Sequence, residues 1–171
     1  IAASLLIALD LEENPPPVRV VMVQREVGER VMAGPGSKTF GPLAVVSALS
    51  VHAKRLRKVP AQAFWPAPKV ESAVLRLDAR PDRPSPVAVQ RLLEFLALAF
   101  HNRRKTLPNS VAEAIGGRAG EVASALGLAE KEEKCRAEQL EALQLQLLSE
   151  RWTECALGER LRPSAGQGWH R

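Results

Sequence analysis

Two short stretches carry residue types that could do chemistry on a nucleic acid. The first is Phe64-Trp65-Pro66-Ala67-Pro68-Lys69-Val70-Glu71-Ser72-Ala73-Val74. Each proline fixes its own φ and biases the residue before it toward extended backbone. Phe64 and Trp65 are therefore held at the mouth of a strand. A stiff loop that presents a planar ring suits stacking on a nucleobase. The same residues also fit a proline-rich turn whose rings pack into a core, and this stretch alone favours that reading. The second stretch is Phe100-His101-Asn102-Arg103-Arg104-Lys105-Thr106-Leu107-Pro108-Asn109. Three adjacent cations, Arg103, Arg104 and Lys105, stand between Phe100 and Leu107, which can anchor the segment while the charges fan outward. Guanidinium forks suit phosphate oxygens, and lysine adds a mobile point charge. A basic triplet is most often a solvated face. Beside the Phe64 loop and Lys69 it is a much stronger pointer to phosphate oxygens.

The elements that must position these stretches follow from hydrophobic periodicity. Ile1–Leu11 reads as an amphipathic helix that Asn14-Pro15-Pro16-Pro17 ends. Val18–Val23 is rich in β-branched residues and predicts a buried strand with a neighbour on each side. Gln24–Met32 reads as a helix, Ala33–Lys38 as a flexible loop, and Gly41-Pro42 as the start of a helix reaching about His52. Arg55–Val59 predicts a short strand with basic residues on alternate positions. Lys69–Leu77 alternates, with Val70, Ser72, Val74 and Arg76 facing one way and Glu71, Ala73, Leu75 and Leu77 the other. The helix-strand order before residue 60 predicts an α/β fold, with these two strands as an antiparallel pair at the sheet edge. After the Pro- and Arg-rich run Ala79–Pro86 no strand is evident. Helices are predicted over Val87–Phe100, Ser110–Ile115, Gly120–Gly127 and Gln139–Trp152, punctuated by Gly116-Gly117 and Gly127. The expected organisation is an α/β part over residues 1–80, a linker over 81–86, a small helical domain over 87–156 and a disordered tail over 157–171.

Composition sets the compartment and the partner. Lys and Arg total 24 against 19 Asp and Glu, a net charge of +5. The basic residues cluster, which favours a polyanionic partner. Cys135 and Cys155 are widely spaced and read as reduced thiols of a cytoplasmic protein. His52, His101 and His170 are scattered, so no metal site is expected. The apolar opening, Ile1–Leu9, is too short to span a bilayer and lacks the basic flank of a signal peptide, so no membrane partner is expected.

Four stretches together resemble the ribosomal RNA adenine dimethyltransferases that modify the small-subunit RNA. They are Met22-Val23-Gln24-Arg25-Glu26-Val27 with Arg30, then Ala33–Lys38 leading to Phe40 and Gly41, then Phe64–Val74, and finally Phe100 with Arg103–Leu107 and Asn109. Their order and spacing match as well, over about residues 1–150. The resemblance implies the second half of a Rossmann-like class I methyltransferase sheet followed by a small all-α C-terminal domain. It implies transfer of methyl groups from S-adenosylmethionine to the N6 atoms of two adjacent adenines. Phe64 would then stack on the target adenine once the base has left its helix. Lys69, Arg103, Arg104 and Lys105 would hold the RNA backbone. The partner implied is small-subunit ribosomal RNA or a pre-30S particle, bound by a monomer.

In this resemblance Ile1 falls just after the family's Asn-Leu-Pro-Tyr-Asn segment, and Ser4 stands where proline is usual. The chain is therefore expected to be the C-terminal part of a longer protein. It would carry one wall of the base pocket and no cofactor-binding residues of its own, so that it is inactive alone. The alternative reading is a non-catalytic RNA-binding factor of ribosome assembly on the same scaffold. A plain α/β domain with a basic surface is a third. It differs from both in predicting no salt-dependent binding of RNA.

Overall fold

The structure, a computed structural model, describes residues 1–155 of the 171-residue chain. The tail expected to be disordered, 157–171, lies outside them. The α/β part runs α1 (Ala2–Asp10), β1 (Val18–Gln24), α2 (Arg25–Val31), α3 (Pro42–Ser50), β2 (Val51–Val59) and β3 (Ser72–Ala79). The helices α4 (Pro86–Ala99), α5 (Leu107–Ile115), α6 (Ala119–Leu126), α7 (Glu130–Glu133) and α8 (Ala142–Glu154) follow. Among the described residues no helix is long and apolar enough to cross a membrane.

The three strands pair in the order β1-β3-β2, and β3 is antiparallel to both neighbours. The alternation read in β3 holds. Ala73, Leu75 and Leu77 are buried, while Val74 and Arg76 turn to the other face. The buried face packs with Leu6 of α1, Val31 of α2 and Leu43 of α3 in one apolar cluster.

Several local expectations need correction. The Val18–Val23 segment is a strand, but it is not buried throughout. Val18, Val20 and Met22 are 45%, 62% and 55% exposed, and Val23 is buried. Strand β1 pairs with β3 alone, and no element among the described residues covers its outer face, so side chains alternate between core and solvent. The helix expected to reach His52 stops at Ser50. Val51 is already extended, at φ −142° and ψ 155°, and begins β2, which makes that strand nine residues long. Strand β3 begins at Ser72 rather than Lys69, because Pro66 and Pro68 keep the preceding residues out of the ladder.

A second cluster joins the two regions. Phe40 and Ala44, Val45 and Val46 of α3 pack with Leu92, Phe95 and Leu96 of α4, Leu107 and Val111 of α5, and Leu145 and Trp152 of α8. Ser85 caps α4 by accepting from the Ala88 N–H at 3.3 Å. Pro86 takes the first helical position, where its missing N–H costs nothing. Gly116 closes α5 in the left-handed region at φ 68°. Gly127 closes α6 in the same way at φ 59°. Glycine meets no Cβ penalty in that conformation. Helix α5 starts three residues earlier than the expected Ser110, since Pro108 fits its first turn. The short helix α7 had no apolar periodicity to announce it.

One ion pair is buried beneath this assembly. Arg19 of β1 donates to the Asp10 carboxylate at 2.7 Å, and the two side chains are 6% and 5% exposed. Burial pushes the Asp10 carboxyl up, against the hydrogen bond and positive charge of Arg19 and the charge of Arg83. Arg83 also donates to the carbonyls of Asp10, Glu12 and Glu13, which ties the end of α1 to the segment ahead of α4. The Nε and Nη1 of Arg19 have no partner among the described residues. Removing one half of such a pair leaves an uncompensated buried charge, whereas removing both halves does not. Asp10→Ala should therefore cost about 3–5 kcal/mol in denaturant unfolding, and Asp10→Leu with Arg19→Met should be close to neutral. Because the Asp10 pKa is raised, its stabilising contribution is complete below the usual carboxylate range. That contribution is lost as pH rises through the raised value. The stability difference should thus move in favour of the double variant over that window.

Candidate nucleic-acid interface

The loop that links β2 to β3 lies across one end of the sheet. Gln24, Val59 and Ser72 are all at this end, where β1 and β2 finish and β3 begins. In open α/β sheets the carboxyl ends of the strands are where ligands bind. Hydrogen bonds from the Ala63 N–H to Pro60 O and from the Phe64 N–H to Ala61 O close a short 3₁₀ turn at Ala61–Ala63. Phe64 then leaves in extended geometry, φ −119° and ψ 152°. At the far end of the loop Arg25 clamps Glu71 twice. Its backbone N–H donates to Glu71 O at 2.9 Å, and its guanidinium meets the Glu71 carboxylate at 2.9 Å. Sequence reasoning missed this clamp. Arg25 and Glu71 are 46 residues apart and no local pattern pairs them.

The ring of Phe64 is partly buried and belongs to neither apolar cluster. Trp65 is 99% exposed. Lys69 is exposed, with no carboxylate partner among the described residues.

The triplet Arg103-Arg104-Lys105 lies on the turn between α4 and α5, and its anchors behave as the spacing predicts. Leu107 is fully buried, and Phe100 packs against the helical core, its ring 6.3 Å from that of Phe40. Ser110, also fully buried, accepts from the Asn102 N–H and donates to Leu98 O, each at 3.0 Å. The Leu107 N–H donates to Cys135 O at 2.8 Å. The turn is thus pinned from both sides.

Two of the three cations are held by carboxylates. Arg103 reaches Glu138 at 2.8 Å and lies 5.9 Å from the centre of the Phe100 ring. Lys105 reaches Glu113 at 2.9 Å. Only the Arg104 side chain has no partner among the described residues. Hydrogen bonds from Lys105 and then Asn102 hold the Glu113 carboxyl below the usual glutamate range. The backbone carbonyl of Glu138 also accepts from the Gly36 N–H at 2.6 Å, where the chain is left-handed at φ 79°. The glycine loop thereby docks beside the triplet. Glu113, Glu138 and Ser110 were not legible as site residues, because each acts through a tertiary contact. No hydrogen bond, ion pair or ring contact among the described residues joins the Phe64 loop to the triplet.

None of the described strand-to-helix turns is the glycine-rich kind that cradles a nucleotide-like methyl donor. Such a group needs a glycine-rich turn between a strand and a helix N-terminus. Strand β1 runs into α2 with no glycine between, and the Gly34–Gly36 loop follows a helix.

With this geometry in place, comparison with known proteins defines the class. The model of the ribosomal RNA adenine dimethylase family matches residues 3–148, and the chain belongs to that family. Proteins named ribosomal RNA small subunit methyltransferase A are its relatives. The one from Desulfitobacterium hafniense (strain DSM 10664 / DCB-2) is 40% identical over 131 residues, 77% of this chain and 47% of the relative. That from Maricaulis maris (strain MCS10) is 49% identical, over 63% of this chain and 37% of the relative. The chain thus spans under half the length of these curated relatives. A dimethyladenosine transferase from Plasmodium falciparum shares the fold, with a TM-score of 0.71 at 19% identity, over 90% of this chain and 63% of that one. The 23S rRNA methyltransferase ErmE does so at 0.52 and 21%, over 86% and 59%.

Two outcomes follow from the side-chain environments. Phe64→Ala should cost less stability than the about 3–5 kcal/mol of a core phenylalanine, and less than Leu75→Ala in the sheet core. Thermal melts of the two variants check this. Glu113→Gln should free Lys105 and raise affinity for single-stranded RNA severalfold at low salt, read by fluorescence anisotropy. Since the Glu113 pKa is lowered, its pairing with Lys105 contributes above the usual glutamate range and is lost as pH falls through the lowered value.

Proposed function

We propose that this chain is the base-facing and RNA-holding part of an enzyme that dimethylates N6 of two adjacent adenines in small-subunit ribosomal RNA, with S-adenosylmethionine as donor. The observation that carries the reading is the family match over residues 3–148, joined to relatives named as small-subunit methyltransferases. The partner is small-subunit RNA or its precursor particle, and the place of work is the cytoplasm.

In this reading the residues through Arg80 form one wall of the base pocket, and the helices beyond Pro86 hold the RNA. Phe64 stacks on the flipped adenine, which must leave its helix before its exocyclic nitrogen can react. Its position outside both core clusters leaves the ring free for that role. Lys69 and Arg104 contact phosphates directly. Arg103 and Lys105 do so by exchanging their carboxylate partners. Such contacts position the RNA and do not read its sequence.

Two measurements test the proposal. Calorimetric titration of the 171-residue chain with S-adenosylmethionine should show no micromolar binding. In the protein joined to the amino-terminal half its relatives carry, unmethylated small-subunit particles should gain dimethyladenine, read by mass spectrometry of the RNA. There Phe64→Ala should slow single-turnover methylation about ten- to a hundredfold, and Phe64→Tyr should be better tolerated because it keeps the π-face. A normal rate in a folded Phe64→Ala protein removes the stacking role.

A further inference from the structure

The basic edge strand β2 is used by none of the roles assigned above. We propose that Lys54, Arg57 and Lys58 of β2, together with Trp65, form a second RNA contact that takes a single-stranded segment. The proposal rests on the reading that the protein works on RNA. It adds a surface at the β2 end of the Phe64 loop, whereas Lys69 lies toward the β3 end.

The placement comes from an irregularity in the ladder. Lys54 stands opposite Arg76 and Arg55 opposite Leu75, but Arg57 stands opposite Val74. The register shifts between Arg55 and Arg57, so Leu56 is an extra residue, a β-bulge. In an unbroken strand residues 53, 55 and 57 would share the face of Leu75 and Leu77, toward the helices. The bulge carries Arg57 instead to the face of Val74 and Arg76, beside Lys54. Lys58 follows opposite Ala73, on the helix-facing side of the ladder, and is exposed there. All residues from Lys54 to Lys58 are exposed, and none of their cations has a carboxylate partner among the described residues. Their neighbour Arg76 differs, because Asp78 closes it at 2.9 Å. The outcome is free positive charge along about 10–15 Å of an exposed edge strand, with Lys54 and Arg57 on one face and Lys58 on the other, at roughly 3.3 Å per residue.

The loop that follows β2 carries Trp65, a large ring left 99% exposed. The loop that carries it is stiffened by Pro66 and Pro68. Free cations along a strand and an exposed ring in the loop that follows it are the two parts of a single-strand binding surface. The cations follow the backbone, and the ring takes a base on its face. A duplex offers no open base face to such a ring. Lysines on an edge strand also discourage strand-to-strand aggregation. That role accounts for the charge, but it gives no reason for an exposed tryptophan in the loop that follows.

The test uses the 171-residue chain and a short fluorescein-labelled single-stranded RNA of mixed sequence, with binding followed by anisotropy across a potassium chloride series. Lys54→Gln/Arg57→Gln/Lys58→Gln should weaken binding about tenfold or more at low salt. It should also flatten the plot of log affinity against log salt by about 2 units, at roughly 0.7 per lost contact. Trp65→Ala should weaken binding about five- to a hundredfold with an unchanged salt slope. The charge-retaining Lys54→Arg/Arg57→Lys/Lys58→Arg chain should bind like the parent. If it fails as the Gln triple does, the effect is structural and the proposal falls. Arg104→Gln separates the two readings. If it weakens binding while the Gln triple and Trp65→Ala do not, β2 is only a guarded edge and this inference is overturned. If none of the variants weakens binding, the RNA-binding reading itself is overturned. Equal losses toward polyglutamate or anionic lipid vesicles would show a general anion surface and would also overturn it.

Discussion

Strand β3 carries the arrangement, because it is hydrogen-bonded on both sides. Its register with β1 and β2 sets Gln24, Val59 and Ser72 level with one another. That brings the start of α2 under the loop that holds Phe64, where Arg25 can clamp Glu71. The same strand buries Ala73, Leu75 and Leu77 against α1, α2 and α3. A slip of one residue would turn those side chains to solvent and Val74 and Arg76 to the core. Core and loop are therefore positioned by the same ladder, and neither can move without the other.

Helix α3 extends this order into the helical region. Its Ala44, Val45 and Val46 pack against the core of α4, α5 and α8, while Leu43 belongs to the cluster under the sheet. The turn with Arg103, Arg104 and Lys105 is fastened to that core by Phe100, Leu107 and the two hydrogen bonds of Ser110. The Gly36 contact to Glu138 fastens it to the loop ahead of α3. A basic turn held this firmly presents its charges in one orientation and would lose little entropy on contact with the RNA proposed as its partner.

The structure handles its cations in two ways. On the α4–α5 turn Arg103 and Lys105 rest on Glu138 and Glu113. On β2 the cations have no carboxylate among the described residues. Exposed ion pairs contribute about 0–1 kcal/mol, so a phosphate displaces such a carboxylate at little cost. The paired cations are oriented before contact, and the free ones supply the field that reaches further into solvent. The buried Asp10–Arg19 pair differs in kind. It lies where no phosphate reaches it, and it links α1 to β1 within the core.

The sequence by itself determined the elements whose signals are local. Alternation at Ala73, Leu75 and Leu77 defined the buried face of β3, and Gly116 and Gly127 marked where α5 and α6 end. The prolines around Phe64 and the anchored cations at 103–105 marked both loops and carried the family resemblance that the family match bears out. Where the sequence reading failed, the deciding contacts were distant. Val18–Val23 has the composition of a strand covered on both faces, yet composition cannot say whether a second layer is present, and its outer face is exposed. Val51 sits in a helical-looking run that ends there because β3, far along the chain, pairs its Ala79 with it. Glu71, Glu113 and Glu138 read as solvated charges until the fold sets each beside a cation. The bulge at Leu56 leaves no mark in an alternating basic run, because it exists only as a mismatch between two strands. Local backbone preference is written along the chain, while ion pairing, register and burial are properties of segments that only folding brings together.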